Sequence, residues 1–199
     1  KHSDDEVPSI AIIPFDNKGA EEDVFYAYGI SADLISDVSS AGLVRVPSLK
    51  RVEEVEDLSL DEKAKKLDVR YTTEGTLWKR GDVFQLSVEI FDTKNRKVIW
   101  SDRWQEQWDN LSTIRESLSS GLLQALNIKS KQNKKIETPH SEAYELYLRG
   151  SYNFKERKNK SDIDVSRKLL KKSIDLDPSF DLSKIALANT YFLTADYEE

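Results

Sequence analysis

The constraint that most narrows the fold of this chain is a strict alternation inside the run 69–107. Phe84, Leu86, Val88 and Ile90 fall on one side of an extended backbone, and Gln85, Ser87 and Glu89 fall on the other. A period of two marks an antiparallel strand with one face buried and one face wet. Arg80-Gly81-Asp82 and Thr93-Lys94-Asn95-Arg96 punctuate the run where hairpin turns belong. The run therefore predicts three consecutive strands with one apolar face, and other elements must cover that face.

The flanking sequence supplies the cover. Residues 1–8 are polar and read as a leader. Residues 9–15 (SIAIIPF) are continuously apolar, as in a strand buried on both faces. Ala27, Ile30, Leu34, Val38 and Ala41 recur at helical spacing, with Glu21, Glu22 and Asp23 ahead of them and Gly42 behind. Residues 43–47 (LVRVP) predict a second short strand, returning from that helix as a right-handed parallel crossover. Ser59-Leu60-Asp61-Glu62 matches a capping box, opening a short helix striped by Leu60, Ala64 and Leu67. Asn110 stands as the N-cap of a third helix striped by Leu111, Ile114, Leu118, Leu122 and Ala125. Residues 9–128 thus predict an α/β (α+β) layer domain, with a mixed five-stranded sheet and three helices. Residues 129–140 are polar and basic and read as a linker. From 141 to 199 the pattern is all-α, with helices over 141–155, capped by Ser141, over 162–177, and from Asp181 onward.

Composition narrows function more by exclusion than by motif. The 199 residues carry a net charge of -6, and no basic face emerges beyond a short run at Lys129–Lys135, so no nucleic-acid partner is expected. There is no cysteine, which removes thiol nucleophiles, disulfides and zinc-thiolate sites. No apolar stretch is long enough to span a bilayer. The chain starts without methionine and ends inside a helical pattern, so it reads as a piece of a longer protein. Its two histidines, His2 and His140, lie in the leader and the linker, where no scaffold orders a site. The glycines are isolated and form no phosphate loop. No catalytic residue, cofactor or metal ligand is therefore assigned. Asp33 and Asp37 share one face of their helix, and a solvated face is the expectation. Glu74 sits within a strand, with Arg80 or Lys79 expected as its cross-strand partner. Trp78, Trp100, Trp104 and Trp108 group around the meander, and core or a helix-docking seam is preferred to an aromatic pocket.

Two resemblances add to this reading. Residues 141–199 resemble tetratricopeptide repeats: Pro178 closes a unit, Ser166, Leu170 and Ser173 take its small-large-small packing positions, and Gly150 is the small residue of its first helix. Leu187-Ala188 and Tyr191 open the next unit at matching offsets. Serines stand where the family has alanines, and the loop before Asp162 is longer than the repeat period. Residues 9–128 resemble the TolB N-terminal-like domain, through Ser9-Ile10-Ala11-Ile12-Ile13-Pro14-Phe15, Phe25-Tyr26-Ala27-Tyr28-Gly29-Ile30, Asp33-Leu34-Ile35, Leu67-Asp68-Val69-Arg70-Tyr71, Glu74-Gly75-Thr76-Leu77, Ile90-Phe91-Asp92 and Trp100-Ser101-Asp102-Arg103-Trp104.

Together these resemblances imply a non-catalytic sensory and protein-interaction segment of a membrane-anchored bacterial signalling protein. The preferred parent is a class III adenylate/guanylate cyclase; a winged-helix regulator, a kinase or a cell-envelope assembly module are the alternatives. The implied partner is a protein or peptide held in a repeat groove lined by Tyr144, Tyr147, Ser151, Phe154, Leu182, Ile185, Asn189 and Phe192. A small ligand in the α/β domain and a homodimer are further expectations. The membrane enters only through a segment upstream, with the periplasmic side favoured over the cytoplasmic one.

Overall fold

Phe84, Leu86, Val88 and Ile90 are each 1% exposed or less, on the inner face of a five-stranded mixed sheet. The computed structural model describes residues 7–128 and 138–194. Its strands are β1 (Ile10–Ile12), β2 (Asp16–Asn17), β3 (Tyr71–Arg80), β4 (Val83–Asp92) and β5 (Lys97–Gln107). β4 lies between β3 and β5 in antiparallel pairing, and β1 and β2 both pair in parallel with β3. The helices are α1 (Val24–Ser40), α2 (Leu49–Glu53), α3 (Leu60–Leu67), α4 (Leu111–Ala125), α5 (Ser141–Lys155), α6 (Lys160–Leu176) and α7 (Asp181–Phe192).

The meander follows the sequence closely. Gly81-Asp82 joins β3 to β4, with Gly81 at a φ of 57° that suits glycine. The turn between β4 and β5 is organised by Asp92, which is 2% exposed. Its Oδ1 accepts the backbone N–H of Lys94 and Asn95 at 3.0 and 3.1 Å. Its Oδ2 accepts from the Asn95 amide at 2.8 Å and the Arg70 guanidinium at 3.0 Å. A bulge between Ile90 and Phe91 leaves Trp100 and Trp104 on the core side, opposite Ile90 and Leu86. A Cβ on Gly121 of α4 would sit 2.8 Å from Trp100 Cζ2, so Trp100 lies in the α4 docking seam. Trp78 instead stays 37% exposed with the Arg80 guanidinium 3.9 Å from its ring.

Several expectations need correction. Residues 43–47 form no strand: Ser9 and Arg45 make a single parallel bridge. Leu43 turns the chain with a φ of 58°, and Pro47 has no N–H to extend a ladder. The parallel neighbour of β1 within the sheet is β3, so the crossover runs through α1, α2 and α3. α2 is a fourth helix in this part, too short at five residues to show a period. Glu74 stands opposite Glu89 on the solvent face, while Arg80 stacks on Trp78 and Lys79 reaches Asp23 at 4.0 Å. His140, not Ser141, occupies the N-cap of α5, and α6 starts at Lys160 behind an Asn159 cap. The linker expected at 129–140 lies outside the described residues except for 138–140, and the leader except for 7–8.

The two faces of the sheet are covered unequally. α1 and α4 bring Leu34, Val38, Leu118 and Leu122 onto the inner face, all fully buried. α2 and α3 cover the other face only at its β1 end, where Val52, Ala64, Leu67 and Val69 pack on Ala11. β1 is therefore buried on both sides, as its unbroken apolar run requires. The capping box of α3 is formed, with Glu62 accepting the Ser59 N–H at 2.9 Å.

Asp92 gives the sheet an acid-labile turn. Burial raises its carboxyl, but the bonds from Arg70 and Asn95 outweigh burial and hold it below the usual carboxylate range. Its stabilising share is present above the unfolded carboxylate value of about 3.9 and is lost as pH falls through its lower folded value. Asp92→Asn is expected to flatten the acid limb of a stability-versus-pH curve measured by denaturant unfolding. An unchanged acid limb would contradict this role.

Candidate functional site

The polar side of α1 faces other helices. Asp33 and Asp37, one turn apart, meet Arg115 from α4, which is 1% exposed. Arg115 Nε and Nη2 donate to the two Asp37 oxygens, both at 2.8 Å. Its Nη1 lies 3.2 Å from Asp33 Oδ2. From α5, the Tyr144 hydroxyl donates to Asp33 Oδ2 at 2.8 Å and the Tyr147 hydroxyl to Oδ1 at 2.9 Å. One carboxylate thus joins three helices. The expectation of a solvated Asp33/Asp37 face is overturned, because α4 and α5 close over it.

Desolvation dominates the titration of Asp33 and Tyr147. Burial pushes the Asp33 carboxyl up, against the opposing pull of Arg115 and the two phenols. Burial also drives the Tyr147 phenol well above its ordinary value, and the Asp33 charge adds to it. Arg115 remains a cation, since Tyr144, Asp33 and Asp37 outweigh its burial. Two phenols, two carboxylates and a guanidinium held this way form one buried polar network across three helices.

The same seam continues along α1 and α5. A Cβ on Gly29 would lie 2.6 Å from Leu148 Cδ2, so glycine lets the two helices close. Trp108 Nε1 donates to Glu145 at 3.0 Å, and Glu145 also pairs with Arg149 at 3.0 Å. At the far end Tyr28 meets Tyr152 with ring centroids 5.5 Å apart. Lys155 lies over the Tyr28 ring at 4.1 Å and pairs with Glu53 at 2.8 Å. Burial pushes the Tyr28 phenol up to about 12, with Lys155 opposing. Ala143, Tyr144, Leu148 and Phe180 belong to the same apolar core as the sheet.

Within the helical part, Gly150 and Leu170 are in contact: a Cβ on Gly150 would lie 2.8 Å from Leu170 Cγ. Ser166 donates to the Gly150 carbonyl at 2.7 Å, and Ser173 donates to that of Ala143 at 2.6 Å. Both buried serines thus make a hydrogen bond across the α5–α6 pair. Arg167 joins α6 to α7 through the Thr190 carbonyl at 3.1 Å and the Thr194 hydroxyl at 2.8 Å.

The eight groove residues do not stay together. Tyr144 is buried and Tyr147 half-buried, and both are committed to Asp33, so neither lines an open groove. Ser151 and Phe154 are half-buried, and Arg157 covers the Phe154 ring at 4.0 Å. Leu182 packs against the main core. Ile185 and Phe192 are 57% and 80% exposed, and Asn189 is exposed beside them on α7. Arg115 is the residue the sequence reading missed. Its signal is position: it stands four after Leu111 and three before Leu118, so a cation occupies the apolar stripe of α4.

No family model matches the chain. A Rhizobium meliloti (strain 1021) protein named "Putative adenylate cyclase 3" is 22% identical over 191 residues. That match takes in 91% of this chain and 32% of the relative, so the chain spans about a third of that protein's length. Among solved structures, TolB from Acinetobacter baumannii is 16% identical with a TM-score of 0.47, covering 61% of this chain and 29% of TolB. The PelC dodecamer from Paraburkholderia phytofirmans is 19% identical with a TM-score of 0.40, covering 59% of this chain and 86% of PelC. The LpoB C-terminal domain from Escherichia coli is 11% identical with a TM-score of 0.39, covering 51% and 83%. Among the described residues, no helix is long and apolar enough to cross a membrane.

Arg115→Met leaves Asp33 and Asp37 buried without their cation. The expected cost is about 3–5 kcal/mol at neutral pH, read from denaturant midpoints. Lowering the pH should restore part of it by protonating the stranded Asp33 carboxylate, which burial already pushes up. A variant as stable as the parent at pH 7 would contradict the assignment.

Proposed function

We propose that this chain is a non-catalytic sensory and protein-interaction segment of a bacterial signalling protein, the C-terminal regulatory part of a class III adenylate/guanylate cyclase. The carrying observation is that similarity to the cyclase-named protein runs through both the sheet layer and the helical part while taking up only a third of that protein. The α1–α5 seam supports the same reading, since a shared core couples the two parts mechanically. A shift of α5 on Asp33 would reach the sheet without any linker relay. In this reading the helical part is a tetratricopeptide-type repeat segment, with Gly150, Ser166, Leu170 and Ser173 at its packing positions. Its partner-facing surface is the α7 side carrying Ile185, Asn189 and Phe192. The segment belongs to a membrane-anchored protein, on its periplasmic side.

The test has a biochemical and a genetic arm. The purified chain should form no cyclic nucleotide from ATP or GTP with magnesium or manganese present, and its gene should encode a cyclase domain upstream. Cyclic nucleotide made by the chain alone, or a reading frame with no catalytic domain, would overturn the proposal. Phe192→Ser is expected to leave the unfolding midpoint unchanged within about 0.5 kcal/mol, as an exposed position allows. It should weaken association with the parent protein's partner in pull-down; a strongly destabilised variant would mean Phe192 belongs to the core.

A further inference from the structure

We infer that the open face of the sheet is a self-association surface, on which a second copy of this chain packs face to face and antiparallel. α2 and α3 cover this face only at its β1 end, so β3, β4 and β5 leave it open. Glu74 and Glu89 stand directly opposite each other there, and both are exposed. Like charges so placed oppose strand pairing. Neither carboxylate makes an ion pair among the described residues. The cations of the same face are turned elsewhere. Arg103 Nε donates to the Ser87 hydroxyl at 3.1 Å. Arg80 lies on the Trp78 ring, and the span from 74 to 80 along β3 puts it about 20 Å from Glu74.

A two-fold axis supplies what one copy lacks. Along β3 the outward side chains run Glu74, Thr76, Trp78, Arg80, with Leu77 pointing inward at the midpoint. Leu77 pairs with Leu86, and Leu86 pairs with Trp104, so one row crosses all three strands. An axis along that row turns the β3 series end for end. Arg80 of each copy then lies over Glu74 of the other, with Glu89 beside it, and Trp78 lies over Thr76. Each guanidinium relieves one like-charge pair, and each indole meets a small side chain. Stacking on Trp78 leaves the N–H edge of Arg80 free to donate. Packed sheets keep their strands within about 30° and lie about 10 Å apart, a spacing that long side chains bridge.

Charge pattern selects this occupant. A uniformly acidic or uniformly basic ligand would match only one end of the face, whereas a second copy presents both signs in reversed order. Trp78, 37% exposed between the two charges, gives the contact an aromatic anchor. Three strands over the span of Glu74 to Arg80 offer about 350 Å² from each copy. That is below the area of a stable interface, so the association is weak and sensitive to salt. This inference stands independently of the cyclase reading.

The experiment is sedimentation equilibrium of the 199-residue chain from micromolar to near-millimolar protein, at low and high salt. The expected result is a reversible monomer–dimer equilibrium that weakens with salt. Glu74→Arg and Arg80→Glu should each raise the dissociation constant at least about fivefold, as two lost charge contacts imply. The double variant Glu74→Arg/Arg80→Glu restores the pairs with reversed polarity and should return to within about twofold of the parent. Both positions are exposed, so unfolding midpoints separate lost association from lost folding. A monomer at every concentration, or a dimer that both single variants leave unchanged, would overturn the inference. So would weakening by both single variants without recovery in the double. Association abolished by Phe192→Ser, with Glu74 and Arg80 variants unaffected, would move the contact to α7 and overturn it as well.

Discussion

The fold depends on how a buried guanidinium is neutralised. Arg115 enters the layer between α1 and α4 with almost no exposure, and two carboxylates one turn apart on α1 receive it. Removing such charges from water costs several kcal/mol per ion, so the arrangement needs opposite charges and hydrogen bonds close around it. Asp37 accepts from Nε and Nη2 of Arg115, and Asp33 faces Nη1 and accepts from the Tyr144 and Tyr147 hydroxyls of α5. Asp33 therefore ties the placement of α5 to that of α1 and α4. Apolar contact alone would let α5 slide along α1; the two phenols fix its register, and Gly29 under Leu148 fixes its distance.

From that constraint the division of labour among the helices follows. α5 serves as a cover for the layer, so its aromatic residues are spent on internal contacts. Phe180 extends the same packing, its ring 5.3 Å from Tyr147 and 6.2 Å from Tyr144. α6 pairs with α5 through Gly150 and two buried serines, and α7 follows with Ile185 and Phe192 turned outward. The outer end of the molecule thus carries the exposed apolar side of α7. The inner end is consumed by the docking seam.

How far the sequence revealed this depends on the range of the interaction. The β4 alternation, the Gly81 turn and the Ser59 capping box are local patterns, and each is found where its spacing placed it. The close approach at Gly150 was expected only through the repeat resemblance, which put a small residue there; Leu170 is what it meets. Residues 43–47 misled because five apolar-rich residues look the same in a strand and in a turn that makes one bridge. The α1–α4–α5 cluster was illegible as a whole: Asp33 and Tyr144 are 111 residues apart, and an acidic pair on a helix reads as solvent-facing unless its cover is known. Glu74 failed for a related reason, since strand register decides its neighbour and places Glu89 there.

Held by the Asp33 cluster and a shared core, the sheet layer and the helical part are expected to open as one cooperative unit. Native-state hydrogen exchange in increasing denaturant tests it most directly, amide by amide. The account predicts that amides of α5 around Tyr144 and Leu148 exchange with the same opening free energy as those of α1 around Asp33. Free exchange of the α5 amides through a low-energy opening, while α1 and β4 remain protected, would contradict it.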